Sequence, residues 1–218
     1  MSSLTIKNLN KIYNPGKNEV HAVKDFNLEI EDGEFVALLG PSGCGKTSTL
    51  RMIVGLESIT SGSILFDDVE INHLSPEHRN VAMAFESYAL YPNFTIFENL
   101  AFPLEVKKNS SSEISKKVGD IAEMLQITNI LELKPNQLSG GQQQRVSLGR
   151  ALIRDPAVFI LDEVMSHLDA HLKFQMLFEL KKIHQTLKKT MIYVTHDQME
   201  ALALSDRVAV MALSLIHI

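Results

Sequence analysis

The chain has 218 residues, 45% of them hydrophobic, which is enough to bury a substantial core and too apolar for disorder to be the default. Its formal net charge of -5 offers no broad basic field for nucleic acid, and its single cysteine, Cys44, leaves no internal disulfide and fits a reducing compartment. No run approaches the ~20 apolar residues that a membrane-crossing helix needs, so a role at a membrane calls for a partner that spans it.

From the N-terminus, apolar residues alternate at Leu4 and Ile6 and again at Phe26, Leu28 and Ile30, with a turn at Asp32-Gly33, which predicts an antiparallel N-terminal sheet. Tyr13 lies between the two runs, and from the residues alone it reads as a strand aromatic covering core. Residues 34–39 form a short apolar run bounded by glycine, the pattern of a buried parallel strand. It feeds Gly40-Pro41-Ser42-Gly43-Cys44-Gly45-Lys46-Thr47, and Ser48 leads on into a helix. Strand, glycine-rich loop and helix in succession make a phosphate loop: the backbone N–H groups wrap a polyphosphate, Lys46 adds a point charge at the β and γ phosphates, and Thr47 offers a hydroxyl to Mg2+. Cys44 reads as a loop filler, with no partner for cysteine chemistry in the sequence.

A further strand over residues 80–85 ends at Glu86, after which residues 87–155 turn helical. Thr95 and Glu98 form a capping box, and Ile114, Val118, Ile121 and Leu125 fall on one helical face. Asn109-Ser110-Ser111-Ser112 reads as a small flexible loop. Ser139, Gly140, Gly141 and Gln142 make a second capping box, whose small residues leave a helix N-terminus open to an anion. Residues 157–161 are a buried strand closed by Asp162 and Glu163, where a carboxylate needs solvent, metal or a metal-bound water. A helix with Leu172, Met176, Leu180, Ile183 and Leu187 on one face, a strand over 191–195 and a helix over 198–204 complete an alternation that implies a mostly parallel sheet.

Phosphate loop, Leu138-Ser139-Gly140-Gly141-Gln142 and the strand ending in Asp162-Glu163, in that order, resemble the ATP-binding cassette (ABC) ATPases over nearly the whole chain. The resemblance implies an α/β fold: a P-loop NTPase (RecA-like) core with an N-terminal antiparallel β-subdomain and an inserted α-helical subdomain over about 87–155, in a single domain spanning 1–218. It implies ATP and Mg2+ as ligands, with Tyr13 stacking on adenine, Asp162 in the Mg2+ shell beside Thr47, and Glu163 as general base or orienter of the attacking water. Lys46 and His196, the switch histidine near the γ-phosphate, complete the catalytic set. Residues 139–142 are expected to close on the ATP of an opposite subunit, with Asp169 in the dimer-contact loop, so the resemblance predicts a head-to-tail dimer.

Three positions depart from the pattern. Glu86 stands where relatives have a glutamine that senses Mg2+ and the attacking water; it keeps an oxygen for the metal but adds charge beside a polyanion. Val164 replaces a proline. Residues 213–218 resemble a translated transposase adaptor, so the family's following turn and strand are expected to be missing. The likeness is greatest to the carbohydrate and glycerol-phosphate branch of bacterial importers. It implies an ATP-hydrolysing subunit, peripheral on the cytoplasmic face of the inner membrane. The partners it implies are two membrane permease subunits, a second ATPase subunit and, indirectly, an extracytoplasmic solute-binding protein. The alternatives are a supporting nucleotide-binding subunit with low hydrolysis, favoured by Glu86 and Val164, and a soluble ABC protein outside transport.

Overall fold

A computed structural model describes residues 3–16, 18–85, 87–212 and 215–217. The chain divides into two compact units, the first made of Met1–Val81, Ala157–Glu163 and Leu177–Ile218, the second of Ala82–Pro156 and Val164–Met176.

In the first unit β1 (Leu4–Tyr13) pairs antiparallel with β2 (Val20–Ile30) and with β4 (Ser61–Phe66), and β5 (Val69–Glu70) extends the edge. Leu4 and Ile6 face Ile30 and Leu28 in a buried ladder. Strict alternation would then bury Asn8, an expensive outcome for an amide without buried partners. The strand bulges instead: Asn8 adopts φ 46°, its N–H bonds to Asn27 Oδ1 at 2.8 Å, and the register slips so that Leu9 and Lys11 become the buried positions.

A parallel sheet forms the other layer. Its strands β3 (Phe35–Leu39), β7 (Val158–Asp162), β8 (Thr190–Thr195) and β9 (Arg207–Ala212) run in the order β9-β3-β8-β7. β10 (Leu215–His217) pairs antiparallel on the outer edge of β9, and β6 (Val81–Ala84), along which the chain leaves this unit, follows β7. Phe35, Val36, Ala37 and Leu38 are fully buried, as a strand covered on both faces requires. The register sets Leu39 opposite Thr195 and Asp162 opposite Val194, so β3, β7 and β8 end level with one another. Helix α1 (Lys46–Val54) follows β3, and α6 (Gln198–Leu204), capped by Asp197, follows β8.

The second unit is helical. α2 (Ile96–Val106), α3 (Ser111–Met124) and α4 (Gly140–Leu152) pack through Leu100, Leu104, Val118, Ala122, Val146 and Leu148, all buried. The capping boxes expected at Thr95 and Glu98 and at Ser139 and Gln142 are both formed. The expected loop at residues 109–112 is not one: Ser110 caps α3 in a third box with Glu113, and Ser111 and Ser112 belong to the helix. The serines satisfy the free N–H groups of the first turn, the same chemistry that favours them in loops. Helix α5 (Ala170–Leu187) starts in this unit and continues into the first.

Candidate nucleotide site

The loop between β3 and α1 is packed so closely at Gly40 and Gly45 that a side chain would not fit at either. A Cβ at Gly45, whose φ is 102°, would lie 2.2 Å from Ala22 O, and one at Gly40 would lie 2.3 Å from Met211 O. Gly40 N–H donates to Thr195 O at 3.4 Å, fastening the loop to the end of β8. Lys46 is 4% exposed, and its ammonium donates to Gly40 O at 2.7 Å and Pro41 O at 3.0 Å, making no ion pair with any described residue. A buried cation held by neutral groups of a glycine loop at a helix N-terminus is suited to an anion. Pro41, Ser42, Gly43 and Thr47 are exposed beside it, Ser48 is half-buried, and the Cys44 thiol is buried 4.0 Å from Lys46 Nζ.

The neighbouring strand ends bring up the acids. Asp162 closes β7, and Glu163 N–H donates to Val194 O at 3.0 Å. Glu163 sits in the left-handed region at φ 47°, a strained conformation for a residue with a Cβ. Its Oε2 lies 3.3 Å from His196 Nδ1, with Glu163 a quarter exposed and His196 more open. Beneath them, buried Glu200 accepts from the hydroxyls of Tyr193 and Thr195, both at 2.5 Å, while Thr195 Oγ1 also accepts from Asp197 N–H at 3.0 Å. Burial, and the Glu200 carboxylate next to it, push the Tyr193 phenol far above its usual range. Tyr13 reaches the same helix from β1, its hydroxyl 3.3 Å from Ser48 Oγ.

Thr47 and Asp162 are hard oxygen donors of the kind Mg2+ takes together with phosphate oxygens. Among the described residues no group of three or more His, Cys, Asp or Glu could hold a metal ion.

In the second unit Ser139 N–H bonds to Gln142 Oε1 at 2.9 Å, and Gln142 N–H returns to Ser139 Oγ at 3.3 Å. Gly140 is exposed, while Gly141 lies against Leu172. Asp169 Oδ1 accepts from Leu172 N–H at 3.0 Å at the start of α5. A separate cavity of about 330 Å3 is lined by Phe85, Tyr88, Tyr91, Phe102, Val106 and Arg150. Tyr91 and Phe102 meet edge to face at 5.1 Å, and the Arg150 guanidinium lies 4.4 Å from the Tyr91 ring centroid.

Tyr13, residues 40–48, Asp162, Glu163 and His196 thus belong to the first unit, and residues 139–142 and Asp169 to the second. Glu86 lies outside the described residues. Sequence reading did not single out Lys11, Arg79 or Glu200, each buried and hydrogen-bonded around this site or its helix. Lys11, two positions before Tyr13 on the same strand, carried a signal in its spacing; Arg79 carried none.

Residues 23–166 match the family model described as ABC transporter. The chain belongs to the ABC transporter family. It is 49% identical over 211 residues to the sn-glycerol-3-phosphate import ATP-binding protein UgpC of Psychromonas ingrahamii, covering 97% of this chain and 56% of that one. It is 49% identical to the putative uncharacterized ABC transporter ATP-binding protein YcjV of Escherichia coli, covering 97% of this chain and 58% of that one. The chain therefore spans little more than half the length of these curated relatives. Its fold matches a dimeric post-hydrolysis state of the ATP-binding cassette MJ0796 bound to ADP and Pi. There the TM-score is 0.85 at 32% identity, over 99% of this chain and 97% of that one. The α/β architecture with an antiparallel and a parallel sheet is that of the cassette, a P-loop NTPase.

Proposed function

We propose that this cassette binds and hydrolyses ATP within a subunit of an ABC importer, at the cytoplasmic face of the membrane, for a sugar, polyol or glycerol-phosphate. The observation that carries the reading is the common edge where β3, β7 and β8 end, which gathers Lys46, Glu163 and His196 around one loop. The loop N–H groups and Lys46 hold the β and γ phosphates, and the ring of Tyr13 carries the base. Thr47 and Asp162 would hold Mg2+, which when bound neutralises charge on the phosphates, and Glu86 is placed with them on sequence grounds. Glu163 takes the proton of the attacking water or orients it, and His196 at 3.3 Å steadies that carboxylate at the γ-phosphate.

Residues 139–142 and Asp169 act on the nucleotide of a second cassette, an arrangement supported by the dimeric MJ0796 structure. Two permease subunits are the partners for the aromatic cavity of the second unit, and a solute-binding protein acts through them. The import named for the Psychromonas relative supports the direction of transport and the solute class.

The test is Glu163→Gln in the intact protein. MgATP affinity by calorimetry should stay within about twofold, while hydrolysis falls by at least about 100-fold. Retained hydrolysis would remove Glu163 from the mechanism and with it the proposed site.

A further inference from the structure

Residues 10–13 of β1 are tied to both ends of α1. At the near end the Tyr13 hydroxyl meets Ser48 Oγ at 3.3 Å, in the first turn of the helix that begins with Lys46. Beyond the far end, Lys11 Nζ donates to Ser58 O at 2.7 Å and pairs with Glu57 Oε1 at 2.8 Å. Two more bonds close this clamp, Thr60 N–H to Asn10 O at 3.0 Å and Ile12 N–H to Thr60 Oγ1 at 3.0 Å. Glu57 N–H in turn donates to Arg51 O at 3.1 Å, so the clamped segment is fastened to the last turn of the helix.

Lys11 is 5% exposed, an unusual place for a lysine, and it lies there because the bulge at Asn8 turns it to the face that carries Tyr13. Its ammonium is 4.8 Å from the Tyr13 ring centroid. A salt bridge to Glu57 alone does not require that placement, since the stem of a lysine is flexible and Glu57 is a quarter exposed. The ring itself is only half-buried. One of its faces is covered by a cation, and the ring is not fully enclosed.

We propose that Lys11 is a positioning residue for the nucleobase: it covers one face of the Tyr13 ring and locks that ring to the phosphate-loop helix. The other face is thereby presented to the base at a fixed distance from Lys46. This rests on the nucleotide reading of the loop and of Tyr13. The cation draws π density from behind the ring, which strengthens stacking on an electron-rich purine and uses no donor or acceptor on the base edge. Lys11 consequently favours an aromatic base without choosing between adenine and guanine.

The test compares three ligands on the intact protein by calorimetry: MgATP, MgGTP and magnesium tripolyphosphate, which has the charge but no base. Lys11→Met should weaken ATP and GTP alike by about three- to tenfold and leave tripolyphosphate within about twofold. Lys11→Arg should restore most of the loss, and Glu57→Gln, which keeps the cation over the ring, should bind all three ligands like the unaltered protein. Should Lys11→Met not fold, Tyr13→Phe carries the test by breaking only the tie to Ser48; its loss should be about two- to threefold and confined to the two nucleotides. Equal weakening of all three ligands in Lys11→Met, or in Tyr13→Phe, would reduce Lys11 to a structural role and overturn the proposal. Unchanged affinities throughout would overturn it as well. Failure of the underlying reading looks different: Lys46→Ala would then keep its affinity for ATP and tripolyphosphate together.

Discussion

Glu163 holds φ at 47°, where an L-residue with a Cβ is penalised by roughly 1–2 kcal/mol. The bond from its N–H to Val194 O and the contact with His196 keep it there, so the strand end of β7 stores strain at the residue assigned to the attacking water. Glycine relieves this strain at an entropic cost of roughly 0.5–1 kcal/mol, so Glu163→Gly should be neutral to slightly more stable in urea while hydrolysis disappears. A clear loss of stability would mean that the carboxylate holds the fold rather than the chemistry. Below it, Tyr193→Phe removes one of two hydroxyl donors from buried Glu200 and should cost about 1–3 kcal/mol in the same assay. If Glu86 stands beside the phosphates, as its place in the sequence implies, Glu86→Gln would remove a negative charge there and should raise hydrolysis, and an unchanged rate would make Glu86 a competent substitute.

At the scale of elements, α1 is held at its far end by Arg79. This guanidinium is 4% exposed and donates to Met52 O at 2.6 Å, Ile53 O at 3.0 Å, Leu74 O at 2.8 Å and Asn72 O at 3.1 Å. A cation at a helix C-terminus meets the negative end of the dipole and adds donors to its last carbonyls. Arg79→Met should cost about 2–4 kcal/mol in urea denaturation, and Arg79→Lys should recover less than half, because a point donor cannot replace the planar fork. Full recovery by lysine would reduce the contact to charge alone. What the sequence made legible here follows distance along the chain. The boxes at Thr95 and Ser139 are complete within four residues and were readable. So was the buried run that becomes β3. The bulge at Asn8 depends on a partner strand about twenty residues away, and counting alternate residues from Leu4 puts Lys11 and Tyr13 on the wrong face. The short hairpin of β4 and β5 leaves little trace in the sequence, because its polar start at Ser61 and Gly62 shows no alternation. Arg79 was equally invisible, since its carbonyl partners at Met52 and Ile53 leave no trace in residue type.

For the molecule as a whole, the nucleotide reading assigns two sets of groups to two different copies. In the proposed function Lys46, Glu163 and His196 would act on a bound ATP, while residues 139–142 would act on the ATP of another cassette. The second set is the N-terminus of α4, where Ser139 and Gln142 satisfy each other, Gly140 is exposed, and the helix end is suited to an anion. Hydrolysis is the step that would part such a pair, so stopping it should trap the closed form. The decisive measurement is the molar mass in solution, by light scattering, of the intact Glu163→Gln protein with and without MgATP. A dimer that forms only with MgATP, and that Ser139→Arg abolishes while leaving ATP affinity unchanged, is the predicted result. A mass indifferent to MgATP in a protein that demonstrably binds it would contradict the account.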